Sequence, residues 1–263
     1  MAQWNSANNT LQTHNKTLFE VNVTNNQSLF SAGWTMQVAM GKVNGATLVN
    51  LYGYQGSVDG TWIPVWENAT TYTYPSSSGE TMTLYSSSAS DTNVTVVIDG
   101  LDVNYAMQSE TLVLTNGTTG VNTTKQYRRI NNMRVTGAVN AVGILRLSNT
   151  GKTNTYAQIA IDVGKTQWSM YTVPAGYTFF LNRVTAAASA TNAAKVLGYR
   201  VLQQFNGLTS LLLQSPWIDT YETQRIVPNP YQEKTSIQWQ VTSDTVSQVG
   251  VRVEGILVSN SLL

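Results

Sequence analysis

The residues that could do chemistry in this chain are few, and most of them are carboxylates. Asp99 and Asp102 flank the dipeptide Gly100-Leu101. Two carboxylates in one place could bind Ca²⁺ through their oxygen atoms or act as the acid pair of a glycosidase. On turns, however, acidic side chains more often accept hydrogen bonds from their own backbone. We therefore expect Asp99 and Asp102 to stabilise a turn.

A second acidic pair lies beside aromatic residues in the C-terminal half of the chain. Asp219 and Glu222 accompany Trp217 and Tyr221. Aromatic rings beside a carboxylate suit both sugar-binding sites and protein interfaces, so this segment is a candidate carbohydrate or subunit contact. The polar N-terminal segment also contains apolar anchors. The interface residues that we predict are Trp4, Leu11, Trp217 and Tyr221.

The chain offers little else to a catalyst. It contains a single histidine, His14, and no cysteine. This composition argues against a histidine metal cluster and against catalysis by a nucleophile–histidine pair. The sequence also has no glycine-rich phosphate loop. We predict no catalytic residue, no metal and no cofactor, and therefore no enzyme activity.

The charge content argues against nucleic acid as a partner. The 263 residues carry a net charge of +1, and only 11% are charged, against about 25% in an ordinary soluble domain. No basic block is present that could follow a phosphate backbone. The one local cluster, Arg128, Arg129 and Arg134, alternates with Ile130 and Met133. We expect this cluster at the exposed edge of a strand.

Amide and hydroxyl side chains supply most of the polarity. Such a surface has little self-repulsion and is typical of a chain that packs closely against other protein; a neutral extracellular β-protein is the alternative. The first 30 residues lack the charged start and apolar run of a signal peptide, and no apolar run is long enough to cross a membrane. We expect synthesis in a cytoplasm and no membrane partner.

Aromatic residues are concentrated between positions 52 and 78. Their alternation with polar residues predicts packing in a core or between strands. A sugar-binding platform is the alternative, because aromatic faces stack on sugar rings, and Asp59 or Glu67 could then contact the sugar. The aromatic residues in question are Trp62, Trp66, Tyr72 and Tyr74.

Short alternating segments predict strands throughout the chain. The apolar runs at 93–98 and 111–114 predict two strands, the second followed by the turn signal Asn116-Gly117. Asn206-Gly207 predicts a further hairpin. Residues 34–43 alternate as well and predict a strand paired with residues 46–54 through Asn44-Gly45. A strand is also expected at 17–24.

Two segments depart from this pattern. Pro228 and Pro230 predict a rigid loop, and residues 186–195 suit either a helix or a loop of small residues. The whole pattern predicts an all-β fold with two β-sandwich lobes, the C-terminal one resembling a jelly roll. The domains that we expect are an N-terminal arm at 1–16, an N-terminal β domain at 17–124 and a C-terminal β-sandwich domain at 125–263.

Several motifs together resemble a group of tailed-phage virion proteins that are common in phages of aquatic bacteria. The serine run of that group is usually followed by a glycine-rich insert, whereas only Thr92-Asn93 stand here, so this hairpin should be shorter. An additional Asn lies within residues 114–117. The motifs are Trp66, the serine run ending in Asp91-Thr92, Ile-Asp-Gly-Leu-Asp at 98–102, the run from Glu110 to Val121, and Tyr-Thr-Val-Pro-Ala-Gly at 171–176.

The resemblance implies a structural component of a virus particle. We favour a capsid decoration or cement protein that binds the outside of a phage head as a homotrimer, with the major capsid protein as its partner. One alternative is a tail or head–tail component, such as an adaptor or fibre-base protein. The other is a tailspike that binds a receptor or polysaccharide.

Overall fold

The computed structural model describes residues 3–5, 10–12, 33–68, 71–189, 197–217 and 220–263. The chain divides into two compact units, Met1–Lys42 and Val43–Leu263. Strands make up nearly all of the regular structure, which confirms the predicted all-β fold. No helix within the described residues is long and apolar enough to cross a membrane.

Within the described residues, the first unit contains one strand pair and one short helix. Strands β1 (Gln3–Asn5) and β2 (Thr10–Gln12) pair antiparallel, with Trp4 opposite Leu11. Helix α1 spans Trp34–Ala39, so the strand predicted at 34–43 is wrong. The backbone of this segment satisfies its hydrogen bonds locally, beginning with the amides of Met36 and Gln37, which donate to the carbonyl of Gly33. The strand predicted at 17–24 lies outside the described residues.

The second unit contains the remaining strands and one turn of 3-10 helix at Asn260–Leu262. Numbered in chain order, the strands are β3 (Ala46–Val58), β4 (Ile63–Pro64), β5 (Met82–Ser86), β6 (Thr95–Leu101), β7 (Met107–Val113), β8 (Val121–Asn122), β9 (Arg129–Thr136), β10 (Leu145–Asn149), β11 (Thr155–Ile159), β12 (Met170–Thr172), β13 (Tyr177–Ser189), β14 (Leu197–Phe205), β15 (Leu208–Trp217), β16 (Thr220–Tyr231), β17 (Ser236–Ser243) and β18 (Ser247–Ser259).

Four of the sheets in this unit form two sandwiches. In the first sandwich, the sheet β16-β13-β18-β3 faces the sheet β12-β17-β14-β15, to which β4 is added beside β17. Phe179, Trp239 and Val251 are fully buried between them. In the second sandwich, the sheet β11-β10-β5-β8 faces the sheet β7-β6-β9, around Met82, Ile98 and further apolar side chains.

The second sandwich is inserted into the first. Its core cluster takes residues from Trp66 to Met170, whereas the core of the first sandwich takes residues from both sides of that segment, such as Val58 and Tyr171. The chain therefore leaves the first sandwich after β4 and returns to it at β12. The domain limits expected from the sequence stay a prediction.

Turn chemistry decides where several strands end. The hairpin of β14 and β15 turns at Asn206 and Gly207, which both have positive φ angles of 49° and 79°. A two-residue turn that matches the strand twist needs this conformation at both positions, so the predicted hairpin is confirmed. Strands β6 and β7, which the apolar runs at 93–98 and 111–114 predict, pair antiparallel.

Two further segments differ from the expectation because of tertiary pairing. Pro228 and Pro230 lie within β16 rather than in a loop. Strand β16 is the edge of its sheet, where a residue without an amide hydrogen is tolerated. The small residues Ala186–Ser189, expected in a helix or loop, extend β13, because β18 pairs with them over this length.

Candidate functional site

Asp91 is the centre of a buried hydrogen-bond cluster in the second sandwich. Its side chain is 2% exposed and accepts hydrogen bonds from the amides of Val142 (2.7 Å) and Gly143 (3.0 Å) and from the hydroxyl of Ser86. Gly117 packs against this cluster so closely that a Cβ there would lie 2.0 Å from the carbonyl oxygen of Ser88. These residues belong to the phage-like motifs, and their geometry makes them structural supports.

The acidic residues Asp99 and Asp102 do not act as a pair, because each contacts different groups. Asp102 Oδ1 accepts hydrogen bonds from the amides of Asn104 and Ala106, both at 2.8 Å, which confirms the predicted turn role. Asp99 lies within β6 and forms an ion pair with Arg134. Within the described part of the chain, no group of three or more His, Cys, Asp or Glu side chains could hold a metal ion.

The aromatic residues of the 52–78 region lie mainly in the core, as the packing interpretation predicts. Trp66 and Tyr72 are buried, and their rings meet edge to face at 5.1 Å. Tyr74 packs on Tyr72 in the same manner. Trp62 is half-buried beneath the guanidinium of Arg200, at 4.6 Å. These rings therefore do not form a common platform for a sugar.

Arg129 corrects the expectation of an exposed arginine cluster. It is only 7% exposed, and its guanidinium lies 4.2 Å from the centre of the Tyr74 ring. Its Nε donates to the hydroxyl of Ser236 at 3.2 Å. Burial lowers the pKa of Arg129, and the facing tyrosine rings oppose that shift. The strand edge was predicted correctly, but the position of Ser236, 107 residues away, is not visible in the local sequence.

Glu67 is a half-buried carboxylate next to the end of β11. Its Oε2 accepts a hydrogen bond from the amide of Ala160 at 2.8 Å. Its Oε1 is buried and has no hydrogen-bond partner in the part of the chain that the structure describes. Burial raises the pKa of Glu67 from 4.5 to about 7, against the smaller lowering effect of the Ala160 amide.

A wide groove crosses the outer face of the sheet β16-β13-β18-β3. Strand register places Tyr52, Arg252, Thr185 and Glu222 side by side across the four strands. The next row on the same face consists of small residues and one tyrosine, which leaves a depression of about 650 Å³. This second row contains Tyr54, Gly250, Ala187 and Thr220. We call this feature the tyrosine groove.

Ion pairs fix the charges around the tyrosine groove. Arg183 Nη2 lies 2.9 Å from Glu222 Oε1, and Arg252 Nη2 lies 2.6 Å from Glu254 Oε1. Tyr52 is 42% exposed and its hydroxyl reaches over Gly250. The groove therefore presents aromatic and small side chains between balanced charges, a combination that suits contact with protein or carbohydrate.

The predicted interface residues have different positions. Tyr221 packs against the core of the first sandwich and also lines the tyrosine groove, beside Glu222. Trp217 pairs with Leu197 through the backbone, and Trp4 pairs with Leu11 in the same way. The side chains of these four residues are outside the described part of the structure. Asp219 and His14 lie outside it entirely. Their role in an interface stays a prediction. Sequence reasoning missed the groove, since its two rows come together only through strand register.

Comparisons with known proteins give no family. No family model matches the chain, and no curated protein matches it. Among solved structures, the VP2 subviral particle of infectious bursal disease virus is 10% identical, with 83% of this chain and 73% of that chain covered and a TM-score of 0.22. A structure of the Gt strain of the same virus is also 10% identical, with 84% of this chain and 74% of that chain covered and a TM-score of 0.21. Values this low assign neither fold nor function.

Proposed function

We propose that the protein is a structural component of a virus particle, and specifically a decoration protein that binds the outside of a phage head and strengthens the junctions between capsid subunits. The major capsid protein is its partner, the working form is a homotrimer, and the place of action is the virion after synthesis in the host cytoplasm. In this proposal the protein is not an enzyme and needs no cofactor.

The roles of the phage-like motif residues support this proposal. Asp91 and Gly117 hold one end of the second sandwich together, and Asp102 forms the turn between β6 and β7. Glu110 accepts hydrogen bonds from the amide of Thr124 at 2.7 Å and from its hydroxyl at 2.8 Å. In this proposal the motifs support the structure of the second sandwich, and binding is left to the surfaces that the protein presents.

The tyrosine groove is the surface that we assign to the capsid subunit. Tyrosine side chains bury much area at small entropic cost, and they are enriched at the centres of interfaces. The small side chains of Ala187 and Gly250 allow a neighbouring chain to approach the sheet closely. The charges of Arg252 and Glu222 at the margin would then set its orientation.

Heads assembled without this protein provide the test. Purified protein added to such heads should bind and raise the temperature at which they release DNA, measured as the fluorescence of a DNA-binding dye during heating. Tyr52→Ala should weaken binding, because it removes an exposed ring from the groove. Val142→Ala, which shortens an exposed side chain of the second sandwich, is the matched control. Bound protein with an unchanged release temperature would contradict a cementing role.

Copy number separates decoration from a position in the tail. A decoration protein should approach the capsid subunit in copy number, whereas an adaptor or fibre-base protein should be present at far fewer copies. Densitometry of purified virions measures this ratio. A low ratio of this protein to the capsid subunit would indicate a position in the tail or at the head–tail junction.

The tyrosine groove also favours a second candidate, carbohydrate binding by a tailspike-like protein. Its volume of about 650 Å³ lies within the range of roughly 300–1,000 Å³ that is common for ligand sites, and Tyr52 and Tyr54 are available to stack on sugar rings. Titration of the protein with host polysaccharide, and with Tyr52→Ala as the comparison, tests binding. Release of reducing sugar would show that the protein is an enzyme and overturn the decoration proposal.

A further inference from the structure

Strand β16 leaves its regular pairing in the middle of its length. Leu181 of β13 pairs with Asn229, and Arg183 pairs with Gln224, so that residues 225–228 oppose the single residue Asn182. Extra residues on one strand of a pair are a β-bulge, which pushes the chain out of the sheet. The bulge lies on the edge strand of the sheet.

The tip of this bulge is apolar and strongly exposed. Ile226 is 101% exposed and Val227 is 79% exposed. Polar side chains and prolines are the residues that normally protect a sheet edge from other chains. A pair of exposed branched aliphatic side chains instead favours contact with another chain. We call Ile226 and Val227 the apolar knob.

A cleft opens beside the apolar knob. The first sandwich is open along one side, where β15 ends one sheet and β16 ends the other. The opening is a cleft of about 270 Å³ lined by both aliphatic and polar side chains, which we call the edge cleft. Its lining residues include Val184, Val201, Leu212, Leu213, Arg225 and Tyr231.

We infer that a second copy of this chain covers this edge and inserts its apolar knob into the edge cleft. The knob rises from the wall of the cleft, because Arg225 and Asn229, on either side of it in sequence, both line the cleft. One patch of the surface thus contains both halves of a contact, as copies of one chain require. The chain's own knob does not fill its own cleft, since Ile226 is fully exposed.

The size of the edge cleft fits this occupant. At about 270 Å³ the cleft is below the usual volume of a small-molecule site, roughly 300–1,000 Å³, and it suits a few aliphatic side chains. Asn182 Oδ1, opposite the bulge, and Arg183 Nε are buried and have no hydrogen-bond partner within the described residues. The free backbone edge of β16 can supply donors and acceptors to a neighbour.

Low charge removes the main obstacle to such a contact. The chain has a net charge of +1, and both knob residues are neutral. Two copies therefore approach with little repulsion. A two-fold pair and a closed ring can both use the same insertion of knob into cleft, and the measured mass gives the number of copies. The contact does not depend on binding to a capsid.

The absence of cysteine in the natural sequence allows a direct test by cross-linking. One batch of protein carries Ile226→Cys in the knob and a second carries Leu212→Cys at the half-exposed rim of the cleft. After mixing and mild oxidation, the proposed contact should give a covalent product that contains one chain of each kind. Val142→Cys, exposed on the second sandwich, replaces Leu212→Cys in the control mixture and should give far less product. Equal yields in the two mixtures would overturn the inference.

A change of the knob residue tests the energetic role of the contact. Ile226→Asp should weaken self-association by roughly tenfold or more, because a charge replaces a buried aliphatic side chain. Sedimentation velocity over a concentration series measures this. The fold should be unaffected, since the side chain of Ile226 is fully exposed, and the circular dichroism spectrum checks it. Val142→Asp should leave self-association unchanged.

Two results would count against the second copy as the occupant. The wild-type chain could sediment as a monomer throughout the concentration series, or Ile226→Asp could retain the wild-type mass. Binding to heads assembled without this protein is measured separately by co-sedimentation. A variant that is monomeric but still binds heads supports the contact between copies and agrees with the proposed binding to the capsid. An oligomer that binds no heads contradicts only the proposed binding to the capsid.

Discussion

Asp91, at the end of the serine run, shows how one buried side chain can hold neighbouring segments of the backbone in place. A carboxylate that is 2% exposed would be costly unless hydrogen bonds compensated for its lost hydration. Two backbone amides, of Val142 and Gly143, supply that compensation. The same bonds hold the segment before β10 against the end of β5, so that the position tolerates few other residues.

Asp91→Ala should lower the free energy of unfolding by about 3 kcal/mol, because it leaves two amides without their acceptor in a buried place. Chemical denaturation followed by tryptophan fluorescence measures this loss. Asp59→Ala is the matched control, since Asp59 is exposed and accepts one bond from the amide of Thr61 at 2.9 Å; it should cost about 1 kcal/mol or less. Equal losses in the two variants would show that the buried cluster is not important.

Glu67 makes stability depend on pH in the opposite direction to most carboxylates. Its pKa in the folded protein is about 7 and that of an ordinary glutamate is 4.5. The folded state therefore binds the proton more tightly than the unfolded state, and the contribution of Glu67 is greatest below the ordinary value. This contribution decreases as the pH rises through about 7.

Glu67→Gln should remove this dependence. The variant should gain stability relative to the wild type as the pH rises from about 5 to about 8, because glutamine cannot ionise and still accepts the hydrogen bond from Ala160. Denaturation midpoints of both proteins at the two pH values provide the comparison. A difference that stays constant with pH would mean that Glu67 titrates normally.

At the scale of elements, strand β9 joins the two sandwiches. Arg129, near its start, reaches Ser236 on β17 of the first sandwich. Asn131 and Thr172 exchange two hydrogen bonds, of 2.8 and 3.0 Å, between β9 and β12. These bonds connect elements that lie far apart in the chain, so we expect the two sandwiches to unfold together.

Arg129→Ala should destabilise the protein by about 3 kcal/mol, through loss of the ring contact with Tyr74 and of the hydrogen bond to Ser236. Arg129→Lys should lose part of this amount, because an ammonium group cannot reproduce the flat stacked geometry. Arg252→Ala, at a 59% exposed side chain, serves as the control and should cost less than about 1 kcal/mol. Thermal unfolding monitored by circular dichroism ranks the three variants.

At the scale of the whole molecule, the second unit contains both core clusters. Residues 43–263 thus hold the burial that stabilises the sandwiches. The first unit contributes the strand pair β1–β2, in which the predicted contact residues Trp4 and Leu11 oppose each other. Attachment of this N-terminal segment to a partner stays a prediction.

Deletion of residues 2–12 should leave the unfolding temperature nearly unchanged and should weaken attachment to heads assembled without this protein. Differential scanning calorimetry measures the first effect, and co-sedimentation with heads measures the second. A scrambled segment of the same composition is the control for length and polarity. Full attachment after the deletion would show that this segment is not an anchor.

Local sequence was sufficient for much of the fold. Alternation of apolar residues predicts most strands, and the Asn206-Gly207 pair predicts its hairpin, because both signals depend on the geometry of a few consecutive residues. The same locality explains the role of Asp102, whose hydrogen-bond partners lie within four positions. The prediction was wrong at residues 34–43, where helix α1 begins at Trp34.

The tertiary structure alone decided the features on which the proposals depend. The burial of Arg129 depends on Ser236, and the tyrosine groove depends on the register of β3, β13, β16 and β18. The apolar knob exists because one residue of β13 faces residues 225–228. Such contacts join distant parts of the chain, and their free energy depends on shape and desolvation at the point of meeting, which no single segment specifies.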